Sequence, residues 1–194
     1  QSTGIKDTVI KGKISLTKFG SSELNTSDTD PDIKPPLEGV VFEVRLKSSG
    51  ELYDTITTDS EGRAQTKLLP YGTYIVTETA GVEGYLKIKP FEVFVSENER
   101  TYNYLLEDDA VEMMIKLVKQ DKATGKTIPV AGTTFRIEDN AGNPVTFEIL
   151  YPQPHTLNEF ETDESGTLYL PAKLAYGAYK LIEVKAPTGY LLGS

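Results

Sequence analysis

The sequence predicts an all-β protein made of two tandem, homologous antiparallel β-sandwiches. Three observations carry that expectation. Short alternating runs rich in Val, Ile, Thr and Tyr are separated by clusters of Gly, Pro, Asn and Asp, the pattern of strands and turns. No stretch carries an apolar stripe of helical period. The second half of the chain repeats the first, so one small fold is used twice.

In the first copy the strands read, in order, "GKISLTK" (12–18), "GVVFEVRL" (39–46), "ELYDTITT" (51–58), "GTYIVTET" (72–79), "PFEVFVS" (90–96) and "TYNYLL" (101–106). The second copy matches in register. "KISLTK" (13–18) returns as "MIKLVK" (114–119), and "EGVVFEV" (38–44) as "AGTTFRI" (131–137). "DSEGRAQTKLLPYG" (59–72) returns as "DESGTLYLPAKLAYG" (163–177), and "YIVTETAGVEGYL" (74–86) as "YKLIEVKAPTGYLL" (179–192). The copies differ by insertion. The first has a polar link after Lys18, "GSSELNTSDTDPDIKPP"; the second has "TFEILYPQPHTLNEF" (146–160), expected to be a loop. "TDSEGRA" and "TDESGTL" read as turns in which Gly takes a positive φ. Each unit is then a sandwich of about 90–100 residues. We divide the chain into 1–10, a linker or the remnant of a preceding domain's last strand; 11–109, the first sandwich; and 110–194, the second.

Composition excludes several functions. Net charge is −9 over 194 residues, the wrong sign for nucleic acid and for anionic lipid. No run approaches a membrane span. There are no cysteines, which removes disulfides, thiol catalysis and zinc–thiolate sites. No signal peptide is visible at Gln1 and no sorting signal at Ser194, so a mature intracellular protein or a fragment of a longer one is expected.

Three ionisable residues continue apolar faces. Residues two apart in a strand share a face. Ile14 and Leu16 are followed by Lys18, and Ile115 and Leu117 by Lys119. Tyr74 and Val76 are followed by Glu78, and Tyr179 and Leu181 by Glu183. Tyr102, Tyr104 and Leu106 are followed by Asp108. Each alone has a plain explanation, a snorkelling Lys or a solvated carboxylate at a strand end. Three in one unit, two of them repeated, favour a shared buried site. Burial lowers the pKa of a Lys and raises that of a Glu. A neutral amine is a nucleophile, and a protonated Glu can polarise a neighbouring carboxyl group. The expected product is an amide between Lys18 and Asp108, formed with loss of water and assisted by Glu78. Asp109 lies one residue out of phase and Asn103 faces away, so Asp108 ranks first as acceptor.

These runs, above all "Y-x-L-x-E-x-x-A-P-x-G-Y" in the second copy, resemble the collagen-adhesin B-type (Cna-B) domains of Gram-positive pilins and surface adhesins. The first copy has Gly-Val where the motif has Ala-Pro. The resemblance implies immunoglobulin/prealbumin-like β-sandwiches. It also implies a bond from a Lys of the first strand to an Asn, less often an Asp, of the last strand, assisted by the Glu of the motif. By position it implies Lys18, Glu78 and Asp108 in the first unit and Lys119 and Glu183 in the second. An acceptor placed as Asp108 is would fall beyond Ser194, so the second sandwich is expected without its last strand. Asp108 precedes Lys119 by the same interval that separates Asp7 from Lys18. Hence residues 1–7 are expected to be a linker or the end of a preceding domain's last strand, and a strand of that kind is one candidate to complete the second unit of a neighbouring molecule.

The implied function is a structural module of a pilus or wall-anchored adhesin outside the cell, with neighbouring domains or subunits as partners. It is not an enzyme beyond a single self-modification. The alternative is an adhesin module gripping host matrix protein or glycan through its inserted loops, where Phe147, Tyr151 and Phe160 cluster. A third reading is an accessory sandwich of a secreted hydrolase. No cofactor or metal is expected. "SDTDPD" lacks the Gly and Glu of a calcium loop, Asn25 only fits a glycosylation sequon, and His155 is the sole histidine.

Overall fold

The structure, a computed structural model, describes residues 7–22, 24 and 34–192. The segment 1–6, the acidic "SDTDPD" run and Asn25 lie outside the described residues. Two compact units divide the chain, the first running to Ala110 and the second from Val111. Among the described residues every regular element is a strand.

The first unit contains β1 (Lys11–Gly20), β2 (Val41–Leu46), β3 (Leu52–Thr57), β4 (Arg63–Gln65), β5 (Leu69–Pro70), β6 (Gly72–Ala80), β7 (Tyr85–Leu86), β8 (Phe91–Val95) and β9 (Thr101–Ala110). One sheet has the order β4-β1-β9-β7, with β5 also on β1; the other has the order β3-β2-β6-β8. Their inner faces share one core. Ile14 and Leu16 from β1 meet Phe42 and Val44 from β2, Tyr74 and Val76 from β6, and Val93 and Val95 from β8. All are essentially sealed from solvent, and burying each such aliphatic or aromatic side chain is worth about 1.5–3 kcal/mol. Strict alternation makes this possible: β1 reads buried, half-buried, buried along its length, because the pleat turns successive side chains to opposite faces.

One expectation needs correcting. The sandwich is not wholly antiparallel, because β1 and β9 run parallel over the eight pairs from Lys13↔Thr101 to Gly20↔Asp108. Parallel neighbours need a long crossover. Here nearly the whole unit, from the link after β1 to β8, is that crossover.

The second unit contains β10 (Glu112–Met113), β11 (Lys116–Val118), β12 (Thr134–Asp139), β13 (Phe147–Ile149), β14 (His155–Leu157), β15 (Phe160–Glu161), β16 (Thr167–Tyr169), β17 (Leu174–Ala175) and β18 (Tyr179–Lys185). Its sheets are β15-β12-β18, β11-β16, β10-β17 and the β13-β14 hairpin. The insert expected as a loop is that hairpin, registered Phe147↔Leu157 to Ile149↔His155. Its inner end joins the core, Phe147 meeting Phe160 edge-on at 5.7 Å. Among the described residues β11 pairs only with β16; no strand takes the place beside it that β9 takes beside β1. Ile115 and Leu117 are accordingly only partly buried, whereas Ile14 and Leu16 are fully so.

Local devices repeat between the units. The Tyr74 hydroxyl donates to the Pro70 carbonyl at 2.8 Å, and the Tyr179 hydroxyl to that of Ala175 at 2.9 Å. Gly62 and Gly166 both take positive φ, 73° and 74°. Their carbonyls accept from the backbone N–H groups of Lys18 and Lys119 at 2.7 and 3.1 Å. A side chain on Gly62 would run into the Lys18 carbonyl, so this turn demands glycine and fixes the backbone that carries the lysine.

Candidate functional site

The three predicted residues of the first unit meet inside its core. β1, β6 and β9 deliver Lys18, Glu78 and Asp108 by the alternation that places Leu16, Val76 and Leu106 before them. Lys18 Nζ lies 2.5 Å from Asp108 Oδ1 and 3.0 Å from Glu78 Oε2, and all three side chains are completely shielded from solvent. The amine also sits 5.8 Å above the centre of the Phe42 ring. Phe42 stands directly across from Glu78 in the β2–β6 register.

One cation and two carboxylates leave this cluster one proton short of neutrality, and an uncompensated charge is costly in such a setting. The carboxyl oxygens show where a proton fits. Glu78 Oε2 accepts from Lys18 and from the Ile88 N–H at 3.3 Å. Glu78 Oε1 and Asp108 Oδ2 are buried without a hydrogen-bond partner. Burial pushes the Glu78 carboxyl above its ordinary value; the hydrogen bond and charge of Lys18 pull it back in part, and the charge of Asp108 raises it further. A protonated Glu78 leaves one cation facing one anion.

The other acceptor candidates lie elsewhere. Asp109 and Asn103 are exposed on the opposite face of β9, and the Asn103 amide donates to the Thr101 carbonyl at 3.4 Å. In the second unit Lys119 Nζ and Glu183 Oε2 meet at 2.5 Å, with the side chains 18% and 11% exposed. Glu183 Oε1 is buried without a partner, and Phe135 stands opposite Glu183 as Phe42 does opposite Glu78. Among the described residues no carboxylate or carboxamide of this unit takes the place of Asp108. No three His, Asp or Glu residues among those described gather as metal ligands, and His155 pairs with the Gln153 carbonyl.

The sequence did not single out Phe42 or the Ile88 N–H. A backbone donor leaves no trace in side-chain pattern. Phe42 was visible as a core residue, but its place over the amine depends on how the two sheets stack.

The family described as SpaA, prealbumin-like fold domain, matches residues 22–110 and again residues 113–194. Among solved structures the chain is similar to the Bacillus anthracis TIE protein, with 26% identity and a TM-score of 0.68, over 95% of this chain and 30% of that one. The chain thus spans less than a third of that protein. It is also similar to the shaft pilin SpaA of Lactobacillus rhamnosus GG, with 18% identity, a TM-score of 0.44, and coverage of 94% of this chain and 90% of that one. A third is GBS52, the minor pilin of Streptococcus agalactiae, with 19% identity, a TM-score of 0.35, and coverage of 94% and 87%. No curated protein matches it.

Proposed function

Because the chain belongs to the SpaA family of prealbumin-like fold domains, we propose that it is a structural module of a Gram-positive pilus or wall-anchored adhesin, tied internally by an amide between Lys18 and Asp108. The observation that carries this reading is the Lys18 amine, sealed from water between Glu78 and Asp108. A lysine held there only as an ion would bear a heavy desolvation cost; as a neutral amide it bears a much smaller one. In the reaction the Lys18 nitrogen attacks Asp108 Cγ. A C–N bond forms, a C–O bond breaks, and two protons of the ammonium leave with the Asp108 oxygen as water. Glu78 relays the proton and polarises the acceptor carboxyl, and the fold supplies the proximity. The event happens once per chain, so the protein is not an enzyme with turnover. Module partners are adjoining domains or subunits of the same surface fibre, outside the cell.

In the second unit Lys119 and Glu183 are the matching pair. Its acceptor would be an Asp or Asn on a strand laid parallel to β11, supplied from outside the described residues. Intact mass tests the reading. The folded chain should weigh one water less than its sequence, and Lys18→Ala or Glu78→Ala should restore the full mass. A full-mass wild-type chain overturns it, and a deficit of one ammonia would move the acceptor to an Asn.

One observation favours a second reading, adhesion through the β13–β14 hairpin. Its tip presents Leu150 and Tyr151, 78% and 85% exposed, and large exposed apolar groups at a loop tip suit a binding role. Retention of the chain on immobilised matrix protein, lost in Tyr151→Ala, would support it; no retention would exclude it.

A further inference from the structure

The Lys18–Asp108 contact lies at the very end of the β1–β9 ladder, whose last pair is Gly20↔Asp108. A strand end is where water would enter. The inward row of β1 runs Ile14, Leu16, Lys18 and Gly20, all buried, yet the last has no side chain to close the row. The ring of Tyr85 fills that slot: a Cβ on Gly20 would stand 2.3 Å from its Cε1 and 2.7 Å from its Cζ.

Tyr85 is pinned there from two sides. Its hydroxyl donates to the Ser22 carbonyl at 2.7 Å. Its backbone pairs with Ala110, two residues past Asp108 on β9. The turn after β1 is laced over the same spot: the Ser21 N–H donates to the Asp108 carbonyl, and the Ser21 hydroxyl accepts from the Ala110 N–H, both at 2.8 Å. Among the described residues the second unit shows no counterpart of this lacing. Asp121 stands at the position of Gly20 and caps its own turn through the Ala123 and Thr124 N–H groups. Tyr190, the counterpart of Tyr85, is 44% exposed, and Lys119 is not fully covered.

We infer that Tyr85, admitted by Gly20, is the water seal of the Lys18–Glu78–Asp108 site. It is a positioning residue: it keeps solvent from the amine and the two carboxyl groups. Exclusion of water strengthens every charge interaction within and denies a finished amide the water that would hydrolyse it. The chemical part of this inference rests on the bond-forming reading above; the seal itself can be tested without it.

The test uses the full chain carrying Asp108→Ala, which cannot form the amide whichever reading holds. Acylation of the Lys18 amine by an N-hydroxysuccinimide ester is followed by peptide mass mapping, together with backbone hydrogen exchange at Leu16 and Val76. With Tyr85 present Lys18 should be protected. Adding Tyr85→Ala should speed its acylation about tenfold or more, while core exchange stays unchanged, as for a local opening. Tyr85→Phe, which keeps the ring, should protect like the parent; Gly20→Ala, which displaces it, should fall between. Equal acylation with and without the ring would overturn the seal. So would faster acylation matched by an equal rise in core exchange, which is general loosening. In the otherwise wild-type chain, Tyr85→Ala should also lower the fraction that has lost water. If the wild-type chain shows no loss of water, the bond-forming reading fails while the acylation result still decides the seal.

Discussion

The two units carry the same lysine–glutamate pair in the same register, and they treat it differently. In the first, Lys18 and Glu78 are closed in by Asp108, Phe42 and Ile88, with Tyr85 across the strand end, and nothing of the three charged side chains reaches solvent. In the second, Lys119 and Glu183 remain partly open, beside a strand edge that no described residue pairs. The motif residues are therefore not what sets the environment. The neighbouring strand is: β9 brings the second carboxylate, covers the inner row of β1 and supplies the partner on which Tyr85 is anchored.

This contrast can be broken most forcefully at Glu78. Glu78→Gln keeps shape and polarity but cannot relay the proton, so the amide should not form. The tie spans residues 90 apart in sequence, and losing a cross-link of that span costs about 4–5 kcal/mol by analogy with disulfides. Urea unfolding of the first unit should move by that amount, and an unchanged midpoint would count against the bond.

Lys18→Met likewise cannot form the amide and should cost a comparable amount, about 4–5 kcal/mol. It also takes away the hydrogen bond and the charge of Lys18 that lower the Glu78 carboxyl, leaving burial and the Asp108 charge, which raise it, against the Ile88 N–H alone. The folded state then holds the proton more tightly than the unfolded chain does. That contribution is complete below the ordinary value of 4.5 and is lost as pH climbs through the raised folded value. The variant should thus be more resistant to urea at pH 4 than at pH 8; the opposite order would show Glu78 ionised.

Smaller changes sharpen the second unit. Thr133 stands where the first unit has Val40, fully buried, with its hydroxyl unpartnered. Thr133→Val should stabilise this unit by about 1 kcal/mol, read as slower hydrogen exchange in β18. Glu183→Gln should cost less than about 1 kcal/mol, since its ion pair is partly open to solvent; a cost near that of Glu78→Gln would place the two pairs on an equal footing.

Much of this was legible in the sequence because strands advertise their faces. Ile14, Leu16 and Lys18 share a side by alternation alone, and the repeat of Tyr74, Val76 and Glu78 as Tyr179, Leu181 and Glu183 marked where to look. What stayed hidden depends on partners distant in the chain. Alternation says which side of β1 and β9 is buried, but not that the two strands lie side by side and run the same way. The insert at 146–160 is short and rich in proline, so its hairpin pairing escaped notice. Gly20 left a signal of a kind, a gap in the inward row just beyond Lys18. A missing side chain cannot name what fills it, and Tyr85 comes from a two-residue strand far along the sequence.

The parallel course of β1 and β9 has a mechanical consequence. The first unit is entered at Lys11, at one end of the ladder, and left at Ala110, at the other. Tension drawn along the chain therefore slides the two strands lengthwise past each other and loads their hydrogen bonds together, rather than peeling them one by one. With the proposed amide in place, force would run up β1 to Lys18, cross to Asp108 and leave through Ala110. Residues 19–107 would hang outside that path as slack that never pays out, and the unit would transmit a pull almost without lengthening.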